Sequence, residues 1–234
     1  MRKNVYLLTT ALILFFSISA FAQFDIGLNF TTISPESGFK ESVDRLGFGL
    51  TGKFAYKFSD SPLYAGLSIG GANYGSTTRE EYLITPLVPV DVKTSNNILF
   101  THLLLQARAD YGPIQPYVEG LLGFNYLWTQ TSIEELEEYE EDIASHTNFD
   151  DFAWNYGGGF GVLIKLVDAF DFDEGDAKAG KLFLDLRVRY IFGGEAEYLK
   201  EGAIEVDGDD VIYNLSKSET DFVSYHIGVV LHIF

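Results

Sequence analysis

The feature that most constrains this chain is a pair of long alternating runs in residues 98–128, ILFTHLLLQARADYGPIQPYVEGLLGFNYLW, broken at Gly112-Pro113-Ile114-Gln115. Before the break, Leu99, Leu103, Leu105, Ala107 and Ala109 share one face, and Gln106, Arg108 and Asp110 share the other. After it, Val118, Leu122, Phe124, Tyr126 and Trp128 alternate with Glu119, Gly123 and Asn125. A period of two sends successive side chains to opposite faces of a strand, so this stretch predicts a β-hairpin with one apolar and one polar face. Each run reaches the about 9–11 tilted residues that carry a strand across a bilayer.

The start of the chain follows another logic. Arg2 and Lys3 precede an apolar core from Leu7 to Ile18, and Ala20-Phe21-Ala22 fits a small-x-small cleavage site before Gln23. Residues 1–22 therefore read as a secretory signal peptide, leaving 23–234 as one barrel domain. No later segment approaches the ~18 unbroken apolar residues that a membrane helix needs. There are no cysteines, which excludes a disulfide framework and a thiolate metal site. The formal net charge of −18 argues against nucleic acid, which selects a basic surface, and it favours cations or cationic partners.

The hairpin pattern repeats along the chain. Ile26, Leu28 and Phe30 alternate with Asp25, Gly27 and Asn29 in 24–31. Leu46, Phe48, Leu50, Phe54, Tyr56 and Phe58 alternate with Gly47, Gly49, Thr51, Lys53 and Lys57 in 45–58. Leu63, Ala65, Leu67 and Ile69 alternate with Tyr64, Gly66, Ser68 and Gly70 in 63–75. Beyond the opening hairpin, 151–167 sets Trp154, Tyr156, Phe160, Val162, Ile164 and Leu166 against Asn155, Gly157, Gly159, Gly161 and Lys165. In 181–193, Leu182, Leu184, Leu186, Val188, Tyr190 and Phe192 oppose Asp185, Arg187 and Arg189. In 221–234, Tyr225, Ile227, Val229, Leu231 and Ile233 oppose His226, Gly228 and His232.

These runs make an even set of strands whose connections alternate long and short. The expected long loops are 32–44, 76–95 (with Pro86 and Pro89), 130–150 and 194–220. Short turns on one side and long loops on the other are the pattern of a membrane barrel. No charge falls on the apolar face, whereas a soluble lipocalin-type barrel would carry its charges outside. Tyr56, Phe58 and Tyr111 at one end, and Tyr126, Trp128, Trp154, Tyr156, Tyr190 and Phe192 at the other, read as two aromatic girdles. The expected fold is all-β: an eight-stranded antiparallel transmembrane β-barrel with up-and-down meander order.

The chain resembles the small eight-stranded outer-membrane barrels of Gram-negative bacteria, the OmpA/OmpX-like group. The resemblance covers the whole mature chain. It rests on the signal ending Ala20-Phe21-Ala22-Gln23, on Gln115-Pro116-Tyr117-Val118-Glu119-Gly120, on Arg189-Tyr190-Ile191-Phe192-Gly193-Gly194, and on the closing strand. It implies that His226, Gly228, Leu231, Ile233 and Phe234 form the terminal signal read by the barrel-assembly machinery. Leu231 and Ile233 are aliphatic where aromatics are commoner in that group.

Three sets of candidate residues remain. Lys53, Lys57, Arg108, Lys165, Arg187 and Arg189, with Asp25, Asp110, Glu119 and Asp185, would face a lumen just wide enough to be filled by side chains. Buried charges must pair, so an ion-pair plug is expected; a narrow, weakly anion-preferring pore is the alternative. The second set is an acidic loop surface: Glu134, Glu135, Glu137, Glu138, Glu140, Glu141, Asp142, Asp207, Asp209 and Asp210. It would be a solvated exterior, or would attract divalent cations or a cationic partner, although no EF-hand spacing is present. Ile133, Leu136 and Ile143 could mark a short helix there. The third set is catalytic. Ser224 and His226 share a strand face, and Ser145-His146 is a loop pair, but neither sits in a nucleophile motif.

The sequence thus predicts a non-enzymatic structural or surface-interaction barrel without a cofactor, set in outer-membrane lipid. A porin-like channel is the first alternative. A barrel enzyme, or an accessory subunit of an envelope secretion or assembly complex, is the second.

Overall fold

The structure is a computed structural model and describes residues 23–59, 61–81, 90–135, 142–171, 178–207 and 210–234. Alternation makes strands of β1 (Phe24–Pro35), β2 (Gly47–Lys57), β3 (Leu63–Glu81), β4 (Val90–Arg108), β5 (Ile114–Glu135), β6 (Asp142–Asp171) and β7 (Lys178–Gly193). A hairpin of β8 (Glu195–Asp207) and β9 (Asp210–Glu219) precedes β10 (Phe222–Ile233), and one short helix, α1 (Ser37–Ser42), follows β1. Eight strands close into a barrel in the order β1-β10-β7-β6-β5-β4-β3-β2, and β8-β9 form a separate two-stranded sheet. Every pairing is antiparallel, and β1 closes on β10 from Phe24↔Ile233 to Pro35↔Phe222.

The apolar faces point outward as the alternation predicts. Leu103, Leu105, Val118, Leu122, Phe160, Ile227 and Val229 are all exposed, as expected of a wall solvated by acyl chains. The long-loop rim carries packed rings, with Tyr156 on Phe192 at 5.3 Å and Tyr190 on Phe192 at 4.6 Å. The short-turn rim carries Tyr56 against Phe58 at 6.0 Å. The β4–β5 turn is tight because Gly112 takes φ +78°, a conformation that a side chain would strain.

Several expected loops are ordered instead. The region expected as loop 32–44 is the end of β1 followed by α1. The expected loops 76–95 and 130–150 are largely strand: β3 pairs β4 up to Glu81↔Val90, and β4 pairs β5 up to Val90↔Glu135. Backbone pairing Ile133↔Ala144 replaces the expected helix at Ile133 and Ile143, and it places Ser145 and His146 in β6. Leu136, Pro86 and Pro89 lie outside the described residues. The region 194–220 is the β8–β9 hairpin. Ser- and Thr-rich segments such as Ser76-Thr77-Thr78 carry no apolar stripe, so they read as loop while still completing a ladder.

The inner face is also less polar than expected. Ile98, Phe100, Leu104, Leu121, Leu127, Leu163, Phe183 and Val230 all point inward and are buried. Glycine makes room for the largest of them. Phe100 lies over its register partner Gly70, where a Cβ would come within 2.3 Å of the ring. Tyr117 lies over Gly161 in the same way, at 2.5 Å.

Candidate functional site

The lumen is the site with chemistry, and β6 organises it. Gly157, Gly159 and Gly161 alternate on its inner face, so side chains of β5 and β7 meet above a flat track. Along the register, Leu121, Gly157 and Ile191 align, as do Glu119, Gly159 and Arg189, and Tyr117, Gly161 and Arg187. The run Gly157-Gly158-Gly159 is therefore a packing device rather than a phosphate loop.

Three buried carboxylates, Glu119, Asp25 and Asp185, anchor the charges. Glu119 accepts from Arg189 Nε at 2.6 Å and faces Arg187 Nε at 3.9 Å. Arg189 Nη1 donates to Ser68 Oγ at 3.0 Å. Asp25 pairs with Arg108 through one oxygen, and its other oxygen lies 2.7 Å from His232 Nδ1. The Gln106 amide, with its oxygen turned to Arg108, accepts from Nη2 and Nε at 3.0 and 2.9 Å. Asp185 accepts from the Tyr117 hydroxyl at 2.5 Å and faces Arg187 Nη1 at 3.8 Å. Lys53 lies 5.3 Å from the centre of the Tyr117 ring, and the Arg108 guanidinium stacks 4.0 Å from that of Tyr64.

The expected lumen set thus divides in two. Lys53, Arg108, Glu119, Asp185, Arg187 and Arg189 are buried together with Asp25. Lys57 and Asp110 form a 2.7 Å pair at the short-turn rim, where Asp110 also accepts from the Tyr64 hydroxyl at 2.9 Å. Lys165 stands apart from the plug. It pairs with Asp168 at 2.6 Å at the same rim, beside the bulge that shifts the β6–β7 register between Lys165 and Val167.

A hydroxyl–imidazole chain links three neighbouring strands, β2, β1 and β10, on the inner face beside these charges. Thr51 Oγ1 lies 2.6 Å from Thr31 Oγ1, Thr31 Oγ1 2.9 Å from His226 Nδ1, and His226 Nε2 2.9 Å from Ser224 Oγ. This is the Ser–His contact that the i, i+2 spacing suggested. Ser224 is 1% exposed and His226 4% exposed, so the pair sits in packed interior rather than in a cleft that could hold a substrate.

Above the charges, toward the long-loop end, the lumen turns apolar and is covered. Phe39 of α1 packs edge-on against Tyr74 at 5.5 Å and Tyr198 at 5.2 Å. Beneath them lie Ile33, Ile98, Phe100, Leu127, Ile191 and Phe222. Asp221 ties the cover down: Oδ1 accepts from Gly193 N at 2.9 Å, and Oδ2 accepts from Ser37 Oγ at 3.0 Å. Its carbonyl takes Glu36 N at 2.9 Å. Sequence reasoning missed this cover, because a lone Phe39 and a Tyr198 among carboxylates carry no periodic signal.

The other expected sets are more dispersed. Backbone ladders include Glu134, Glu135, Asp142, Asp207 and Asp210, while Glu137, Glu138, Glu140, Glu141 and Asp209 lie outside the described residues. Among the described residues, no group of three His or carboxylate side chains is placed to hold a metal ion. In β10, His226 and Gly228 face inward, and Leu231 and Ile233 lie on the outer face. Phe234 packs edge-on against His232 at 4.9 Å, with Lys181 4.7 Å from its ring centre.

A family model described as the outer membrane protein beta-barrel domain matches residues 8–173. Among solved structures, the chain is similar to Neisserial surface protein A at 12% identity and a TM-score of 0.39, over 91% of this chain and 97% of that one. It is similar to Ail of Yersinia pestis, solved with the heparin analogue sucrose octasulfate, at 13% and 0.35, over 91% and 97%. It is also similar to a major outer membrane protein of Thermus thermophilus at 13% and 0.41, over 92% and 100%. No curated protein matches it.

Proposed function

The chain belongs to the outer membrane protein β-barrel family, and from that premise we propose that it is a non-enzymatic surface-interaction barrel of the outer membrane with a closed lumen. The observation that carries this reading is the double closure of the interior, by an ion-pair plug and by the Phe39–Tyr74–Tyr198 cover. An interior filled in this way supports display better than transport. The burial of Ser224 and His226 likewise favours a role without catalysis.

The surface offered to partners is a projection. β3 to β6 run on past the register at which β2 and β7 stop, at Gly47 and Gly193, up to Glu81↔Val90 and Glu134↔Asp142. We place this end outside the cell and the short turns in the periplasm, with residues 1–22 removed on export. The sequence from Glu134 to Asp142 and from Asp207 to Asp210 is rich in carboxylates, so a cationic partner or divalent ions fit the outside of this barrel better than a polyanion. The sucrose octasulfate held by Ail has the opposite charge preference. The terminal set His226, Gly228, Leu231, Ile233 and Phe234 would serve insertion rather than binding.

The absence of cysteine allows a direct test. Ser76→Cys on the projection should react with a membrane-impermeant maleimide on intact cells. Tyr111→Cys at the β4–β5 turn should react only after the envelope is permeabilised. The reverse pattern would overturn the proposed orientation and with it the surface role.

A further inference from the structure

The barrel wall has a step on its lipid side. β7 ends at Gly193, paired with Asn155, and the chain turns into β8 at Glu195, while β6 continues beyond that point to Asp142. Gly194 N donates to Trp154 O at 2.8 Å across the step. A groove of about 450 Å³ opens there. Leu122, Trp154, Tyr156 and Phe192 form its lower part, and Gly194 and Glu219 are at its upper end.

Two properties of the groove select its occupant. The lower part is continuous with the lipid-facing wall: Trp154 is 70% exposed and Leu122 59%. Its rings belong to the girdle that marks the membrane boundary. The upper end is acidic. Glu219 is the exposed carboxylate there, while Asp221 beside it is buried with both oxygens held by Gly193 N and Ser37 Oγ, and among the described residues no basic side chain lines the groove. An apolar slot with a carboxylate at its mouth complements a hydrocarbon chain below a positively charged head. An anionic head would meet like charge in the same place.

We propose that this step is a specific lipid site, which takes one acyl chain of a lipid whose head group carries an ammonium. Gly194, exposed at the step, lines the slot without a side chain. A Cβ on Gly193 would come within 2.2 Å of Thr220 Oγ1, whereas one on Gly194 comes no nearer than 3.2 Å to Trp154 O and 3.8 Å to Ala153 Cβ. Gly194 is therefore the position from which a larger side chain can fill the groove without disturbing the cover.

The two tryptophans of the chain supply the test. Trp154→Phe and Trp128→Phe each leave a single indole, and Trp128 lies on the outer face of β5, away from the groove. Each protein is refolded in phosphatidylglycerol vesicles, whose head group carries no ammonium, with a rising share of phosphatidylethanolamine brominated on its acyl chains. Each quenching curve is normalised to its own limit. Trp154 should reach half-quenching at a several-fold lower share of brominated lipid than Trp128. Gly194→Leu, in the protein that keeps Trp154, should move its curve onto that of Trp128. Brominated phosphatidylglycerol should show no such early response. Coincident curves for the two indoles would overturn the site, as would an early Trp154 response that survives Gly194→Leu. An early response to phosphatidylglycerol that equals that to phosphatidylethanolamine would overturn the assignment of the ammonium.

Discussion

Glu119 of β5 and Arg189 of β7 are separated by a whole strand, yet their side chains meet at 2.6 Å because Gly159 lies between them in register. A Cβ at Gly159 would come within 2.9 Å of Arg189 Cγ and 2.7 Å of Val188 O. The ion pair and the glycine are thus one device. The missing side chain lets two charges close over β6 and fill the lumen, and the closed lumen is the basis for reading the protein as a display barrel.

Removing one partner should expose the cost of the other. Glu119→Ala leaves Arg189 and Arg187 buried without their shared carboxylate, and breaking a buried pair in this way costs about 3–5 kcal/mol. Urea unfolding of the protein refolded in vesicles should show that loss. The pair replacement Glu119→Leu with Arg189→Met should recover most of it. A Glu119→Ala protein as stable as wild type would mean that the pair does not fill the lumen as described.

The glycine half of the device has its own prediction. Gly159→Leu pushes an isobutyl group between the charges, and overpacking of this kind costs about 1–3 kcal/mol. Gly120→Leu is the control, since its added side chain meets open space on the outer face. A shifted unfolding midpoint for Gly159→Leu alone is expected. Equal behaviour of the two variants would contradict the role of the glycine track.

The outer face can be tested with a charge. Leu186 pairs with Val162 and Ile227 in the apolar band. Leu186→Arg should cost about 2–4 kcal/mol if the band is centred in the bilayer. Vesicle refolding titrations would read this loss. Wild-type stability would place β7 in a different orientation.

Loss of the terminal ring should act on assembly. Phe234 packs on His232, which in turn holds Asp25. Removing Phe234 should lower the amount of protein inserted in cells, while refolding of the purified chain stays within a factor of a few. Unchanged outer-membrane levels would show that the ring is no part of the signal.

The wall was legible in the sequence and the interior only in part. Runs such as Leu182 to Phe192 alternate so strictly that their charges could face only the lumen. In Leu103-Leu104-Leu105 the two faces look alike, so the inward Leu104 and its neighbour Phe100 gave no signal. The upper ladders escaped notice because Thr, Ser and Asn occupy both of their faces once the strands pass the girdle. Lys165 keeps the lumen phase opposite Phe183, but it lies at the short-turn rim, where the bulge that follows lets it pair with Asp168 instead of joining the plug. The cover was invisible because it is made by tertiary contacts among single aromatics from α1, β3 and β8.

The central claim is the closed lumen, and single-channel recording tests it most directly. The purified barrel, refolded and inserted into a planar bilayer, should hold the baseline with no discrete openings. Reproducible unitary steps in the wild-type protein would contradict the closure made by Glu119, Arg189 and the Phe39 cover.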